Sequence, residues 1–385
     1  MELGAATSRR VAPRRPVARR EVSGFARVRR IALVAAIVAL IPALFSFLGA
    51  VTQTSNAPLG IRTVEWLRDH GAAGIVAEVE SIYYSLTAPS KGGPTLRSLP
   101  NVGYGAAGTA AAAEYRPPRV RALLHPALAG EGVWHATRPG LEHEPPVLVT
   151  TLRDQPEYPR VLAGVAWIDA KKTTVTLNPG RLEPSVELPR GPAEVPRADR
   201  PRLLATFNSG FKLADAQGGF GIGGHTYAPM RDGQATIVGW NDGRVDVIDW
   251  SYGRTMPAGM SFARQNLPLL VNEGHESSTI ENASEWGATV GGAVLVWRSA
   301  VGVDSRGNLI YVAGEDQSVR SIARALIRAG AVRGMELDIN SFWTSFITYG
   351  APGAEAPKNL LPGMERSDTR YLEPDDRDFF AVYSR

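Results

Sequence analysis

The chain has 385 residues, of which 44% are hydrophobic and 21% charged, and its formal net charge is +4. That length suits two or three units with a sizeable core and excludes a globally disordered polymer. With no cysteine, the chain has no disulfide framework, thiolate nucleophile, zinc ribbon or iron–sulfur cluster.

The charge is concentrated at the start. Residues 1–30 hold nine arginines against Glu2 and Glu21, a net of +7, so the other 355 residues sum to −3. A nucleic-acid binder carries a basic stripe on its folded part. Here the arginines sit on a proline-interrupted tail, a solvated flank, and no nucleic-acid partner is expected. Ile31 to Val51 then runs for 21 residues without a charge. A helix needs about 20 such residues to cross a bilayer, and Pro42 is tolerated in one. The flanking arginines predict a cytoplasmic tail (1–30), a single-pass anchor (31–51) and an extracytoplasmic remainder. A signal peptide cleaved near Ser55-Asn56-Ala57 is the alternative, with an unusually long apolar region for that class.

Ile61 to Leu86 reads as a helix interrupted at Gly71 and Gly74. Residues 88–118 are rich in Pro, Gly and Ala, so 52–118 reads as a membrane-proximal helix and a linker. From there, 119–385 reads as one domain. Val161 to Ile168 and Thr173 to Leu177, around Asp169–Lys172, suggest a hairpin. Arg202 to Asn208 is a strand. Ala235–Trp240 and Arg244–Trp250 flank the turn Asn241-Asp242-Gly243. Ala293–Ser299 and Leu309–Ala313 flank a second turn at 304–308. Ser318 to Ala329 is a helix stopped by Gly330, and it feeds a strand from Arg333 to Ile339. Strands dominate, which predicts an α+β fold with a large mixed or antiparallel sheet and packed helices, preceded by the anchor and linker.

Four segments could carry chemistry. In the strand 333–339, Met335, Leu337 and Ile339 alternate with Glu336, Asp338 and Asn340, so two carboxylates share a face. Paired carboxylates shift each other's pKa and suit acid–base work or a metal ion, although a wetted polar face gives the same pattern. Asn208-Ser209-Gly210-Phe211-Lys212 places an amide and an amine where a strand ends, as a plain β-turn also would. Arg298 follows an apolar run, and a part-buried arginine has an anionic partner, structural or ligand. Leu269 to His275 delivers Asn272 and Glu273 from another apolar run. Gly219-Phe220-Gly221-Ile222-Gly223-Gly224 spells a dinucleotide fingerprint but lacks the strand before and the helix after it. Asn282-Ala283-Ser284 is a glycosylation sequon by spelling only.

These four segments, in this order, resemble the phosphodiester glycosidase family over roughly residues 200–350. Asn208 to Lys212 resembles the family's Asn-Gly-Gly-Phe-Phe-like motif, and Leu267 to Gly274 its proline–valine–glycine stretch. Arg298-Ser299-Ala300-Val301-Gly302 resembles its Arg-x-Ala-hydrophobic-Gly hairpin. The helix Ser318–Gly330 followed by Leu337-Asp338-Ile339-Asn340 resembles its helix and Leu-Asp-Gly-Gly-Gly-Ser motif, with Ile339-Asn340 in place of Gly-Gly. Ser209 likewise stands in place of a glycine. The resemblance implies a hydrolase of sugar phosphodiesters on envelope glycans or their precursors. Asp338 or Glu336 would be base or cation stabiliser, and Asn208 would hydrogen-bond the substrate. Arg298 and Lys212 would hold phosphate, with Glu273 and Asn340 lining the same substrate site. No cofactor is required, and a divalent metal ion on the carboxylates stays open. The alternative is a binding module that holds an anionic envelope polysaccharide on the same fold without cleaving it; a purely structural envelope protein is a third.

Overall fold

The structure, a computed structural model, describes residues 24–106, 115–282, 285–286 and 295–385. The basic tail to residue 23, linker residues 107–114, the last two residues of the sequon and the start of the strand predicted from Ala293 lie outside the described residues. The chain forms two compact units, Met1–Gln53 and Thr54–Arg385.

In the first unit, α1 (Gly24–Thr52) is a continuous 29-residue helix with Pro42 inside it. At 1.5 Å per residue it is about 43 Å long, more than the ~30 Å of a hydrocarbon core. Its apolar side chains, such as Ile31, Leu33, Leu40 and Phe45, are exposed. It is long and apolar enough to cross a membrane, as Ile31–Val51 predicts.

The second unit opens with α2 (Leu59–Leu67) and α3 (Ala73–Thr87), joined by a π-helical turn at Arg68–Ala72. The helix predicted over 61–86 breaks there because Gly71 adopts φ +86°, a conformation glycine reaches without a Cβ clash. Three antiparallel sheets follow. The largest has nine strands, in the spatial order β1 (Gly105–Ala106), β2 (His135–Ala136), β3 (Val147–Leu152), β4 (Ala163–Ile168), β15 (Leu309–Gln317), β14 (Val296–Asp304), β16 (Ala331–Glu336), β12 (Val271–Asn272) and β13 (His275–Glu276). The second is β18 (Glu355–Asn359), β17 (Phe346–Ala351), β6 (Leu203–Asn208), β19 (Phe379–Ser384) and β5 (Thr173–Asn178). The third is β10 (Val245–Asp249), β9 (Ala235–Trp240), β11 (Met260–Gln265), β7 (Phe220–Ile222) and β8 (His225–Ala228). A short α4 (Leu213–Ala216) follows β6, and α5 (Val319–Arg328) follows β15.

Strand alternation separates two cores across the large sheet. On one face Ala300, Ile310, Val312 and Val165 pack against Ile322, Ala323 and Leu326 of α5. On the other, Val301, Val303, Tyr311, Met335 and Leu337 pack with Phe207, Phe346 and Phe380 of the second sheet and Phe262 of the third. Helix α5 begins where predicted: Ser318 and Ser321 form a reciprocal capping box, and Gly330 closes the helix at φ +105°. The Asn241-Asp242-Gly243 turn joins β9 to β10 in antiparallel register. The turn after Asp304 joins β14 to β15, with the Asp304 carboxylate accepting from the Arg306 and Asn308 amides. This is the predicted α+β architecture with a large antiparallel sheet.

One predicted hairpin is corrected. Both its strands form, but β4 pairs with β3 and β15 while β5 pairs with β19. β4 is buried along its whole length in the middle of the large sheet, and β5 is a partly exposed edge strand of the second. The Asp169–Lys172 turn therefore carries the chain between layers. The glycine run at 219–224 makes the β7–β8 hairpin, with Gly223 and Gly224 at positive φ, and is not a phosphate loop.

Candidate functional site

The site is built where β16 stops. The regular strand ends at Glu336, yet Leu337 donates to the Ser299 carbonyl (2.8 Å) and Ser299 donates back to that of Asp338 (2.9 Å). The chain then leaves the sheet through Ile339 and Asn340. The Asp338 carboxylate is buried. One oxygen accepts from the Asn340 amide (2.9 Å) and the other from Arg377 Nη2 (3.1 Å). Burial raises its pKa to about 6 against the pull of Arg377.

Arg377 arrives from the second sheet, two residues before β19. Its guanidinium lies 5.0 Å from the Trp343 ring centroid. Its backbone is packed on Gly180, where an added Cβ would collide with the Arg377 peptide. Lys212, just before α4, pairs with Glu65 of α2 and, at 3.2 Å, with Asp69. Burial pushes the Glu65 carboxyl up, but Lys212, Arg377 and Arg68 together hold it below the usual range. Burial would lower the Lys212 amine, and Glu65 and Asp69 reverse that to a net rise. Helix α2 is thus laid across the neighbourhood of Asp338. Ala57 and Ile61 pack on Phe342 and Trp343. Ser55 donates to the Asp376 carboxylate, and Asn56 to that of Asp375 at 3.0 Å.

The other predicted residues take different places. Asn208 is next to this cluster and saturated: its amide donates to Ser209 O and Ser299 Oγ, and its oxygen accepts from Tyr311 Oη and the Ser345 amide, at 2.8–3.0 Å. It rivets the second sheet to the first. Arg298 and Glu336 form a fully buried pair at 2.6 Å, with Arg298 Nε also donating to Gln317 O. Glu336 lies opposite Ala300, on the α5 side of the sheet, whereas Arg377 reaches Asp338 from the second sheet. The structure therefore makes two separate ion pairs, Arg298–Glu336 and Arg377–Asp338. Burial raises the Glu336 pKa despite Arg298. Glu273 is exposed at the tip of the β12–β13 turn, where the Gly274 amide donates to Val332 O, at the far end of β16 from Asp338. Asn340 is half-buried and touches Asp338 through its backbone.

Residues 366–378 supply most of what sequence reading missed. Arg370 holds Asp375 with two nitrogens and also donates to Trp343 O and Ser345 Oγ. Arg366 adds a third contact to Asp375, whose pKa falls to about 2 because these arginines outweigh burial. Arg264 and Asp378 form another buried pair at 2.8 Å. The only signal was a charged run, Asp375-Asp376-Arg377-Asp378, directly before the apolar strand Phe379–Val382.

Four buried polar atoms of these residues and their neighbours have no hydrogen-bond partner among the described residues: Ser209 Oγ, Asp378 Oδ1, Trp343 Nε1 and Arg366 Nη1. Such orphans are few in native proteins. A cleft of about 340 Å³ adjoins α4, lined by Leu213, Gln217, Met230, Arg231 and Arg254. Another, of about 210 Å³, is lined by Arg160, Trp297, Glu315 and Asp316. Asp338 and Arg377 line neither. Among the described residues, no group of three or more His, Asp or Glu is placed to hold a metal ion.

No protein-family model matches the chain, and no curated protein does. Solved structures are similar at the level of fold. The catalytic domain of zebrafish N-acetylglucosamine-1-phosphodiester alpha-N-acetylglucosaminidase, auto-inhibited by its pro-peptide, gives a TM-score of 0.40 at 16% identity, over 62% of this chain and 82% of that one. A hypothetical protein from Synechocystis gives 0.35 at 16% identity, over 58% and 59%. Likeness this weak concerns the arrangement of strands and helices and carries no chemistry.

Proposed function

We propose that the chain is a membrane-anchored hydrolase of glycosyl phosphodiesters, working outside the cytoplasm on envelope glycans or their precursors. One observation carries this reading. Two cations, Lys212 and Arg377, act on a single carboxylate, Glu65, beside a buried acid whose pKa is about 6. A glycosyl phosphodiester asks for that combination: fixed positive charge for one phosphate anion, and a carboxylate near the anomeric carbon. Glu65 then occupies the place of the substrate's phosphate, and α2 must move aside for substrate to enter.

In this mechanism Asp338, mostly ionised at neutral pH, takes a proton from water as the water oxygen bonds to the anomeric carbon. The bond from that carbon to the phosphate oxygen breaks. The phosphate monoester leaves into the field of Lys212 and Arg377, and it is a good enough leaving group to need no acid. Asn208 and the Arg298–Glu336 pair are positioning residues that hold the strand ends together.

A binding module is the second reading, favoured by the burial of Asp338 to 3% exposure and by Ile339-Asn340 where glycines would let a ligand come close. Turnover separates the two. The full chain in lipid nanodiscs, native and as Glu65→Gln, is incubated with a panel of sugar 1-(alkyl phosphate) diesters and followed by phosphorus NMR. Release of alkyl phosphate, faster in Glu65→Gln, supports the hydrolase. Line broadening without product rejects it in favour of the binder.

A further inference from the structure

Helix α3 is inside out. Val76 is its buried residue, and Ala77, Glu80, Ser81 and Tyr84 complete a half-buried face, with Glu80 paired to Arg68. On the other side Ile75, Val79, Ile82, Tyr83 and Leu86 are 71%, 61%, 52%, 62% and 80% exposed. Their spacing gathers them into an arc of about 100°, the width of stripe that a helix in a water-soluble domain turns toward its core. A patch of this kind marks an interaction surface.

We propose that this face lies in the interfacial layer of the bilayer spanned by α1, making α3 a membrane-surface helix. The inference is independent of the hydrolase reading. Chain continuity selects lipid as the occupant. Only Gln53 and Thr54 separate α1 from Ser55, which is tied to Asp376, while Asn56 is tied to Asp375. Three peptide links reach at most about 11 Å, so a bilayer crossed by α1 begins within that reach of Ser55. α3 follows 21 residues after Thr52 in the same chain. Free interfacial helices add basic residues to hold anionic lipid, but α3 has no Lys or Arg. A helix already tethered to the membrane has a high effective concentration there and needs only apolar contact. Tyr83, with an apolar ring and a polar tip, suits the headgroup level.

The absence of cysteine makes the test direct. Single cysteines replace Ile75, Val79, Ile82 or Leu86, with Ser85→Cys as the exposed control, and each carries a nitroxide. The full chain is reconstituted in phosphatidylcholine vesicles. Collisions with oxygen are compared with collisions with a water-soluble nickel chelate. The expected result is oxygen-dominated collision at all four stripe positions and nickel-dominated collision at position 85. Two results overturn the proposal: stripe labels as open to nickel as the control, or spin–spin broadening between copies, which would make a second chain the occupant.

Discussion

Asp338→Asn should change how stability depends on pH in a way fixed by the burial of this carboxyl. Its pKa is raised from 3.8 to about 6. Two pKa units correspond to about 3 kcal/mol. The direction follows from proton counting. Between roughly pH 4 and pH 6 the unfolded chain has released this proton and the folded chain keeps it, so wild type loses stability as pH rises. The amide that replaces the carboxyl has no proton to lose. The variant also forfeits the Arg377 hydrogen bond; the pull of Arg377 on the ionised carboxylate is already contained in the pKa of about 6, so this loss sets the offset between the two proteins and not the pH slope. The stability of the variant minus that of wild type should therefore rise by about 2 kcal/mol from pH 4 to pH 7, most of the full effect. All eight tryptophans lie beyond residue 54, so their fluorescence follows the second unit and not the helix α1. Urea titrations of the full chain in nanodiscs at the two pH values give the difference. A flat or falling difference would mean that Arg377 fully compensates burial, and the proton-accepting role would lose its physical basis.

Two further substitutions probe the frame. Asn208→Ala removes four hydrogen bonds and takes the acceptor from the buried Ser345 amide, while Tyr311 Oη keeps Ser345 O and Ser299 Oγ keeps Asp338, so unfolding midpoints should report a loss of roughly 3 kcal/mol. Gly180→Ala pushes a methyl into the Arg377 backbone; hydrogen exchange should rise across 375–378 while β14 and β15 stay protected, at a cost of about 1–3 kcal/mol.

Legibility followed range along the chain. The β9–β10 turn and helix α5 were readable because Asn241-Asp242-Gly243, Ser318 and Gly330 act on their immediate neighbours. The β4–β5 hairpin failed because alternation reveals a strand but not the sheet it joins. Asp338 was singled out together with Glu336, but that grouping rested on alternation continuing past residue 336, where the strand ends. Lys212 was read as a phosphate holder, yet its partners Glu65 and Asp69 are far away in sequence; the Asp69 contact spans 143 residues. Arg377 was missed because a charged run beside a strand ordinarily reads as a solvated flank. The outward apolar face of α3 was hidden for the opposite reason: periodicity shows that a stripe exists and leaves unsaid whether it faces protein or lipid.

The pH dependence of glycosyl-phosphodiester cleavage by the full chain in nanodiscs tests the central claim most directly. If Asp338 is the base beside the Lys212–Arg377 anion site, kcat/KM should rise about tenfold per pH unit up to about pH 6 and then level off. Asp338→Asn should abolish that limb and lower the plateau by about 10²–10⁴-fold. A rate that instead falls through pH 6, or a limb that survives intact in Asp338→Asn, would contradict the assignment.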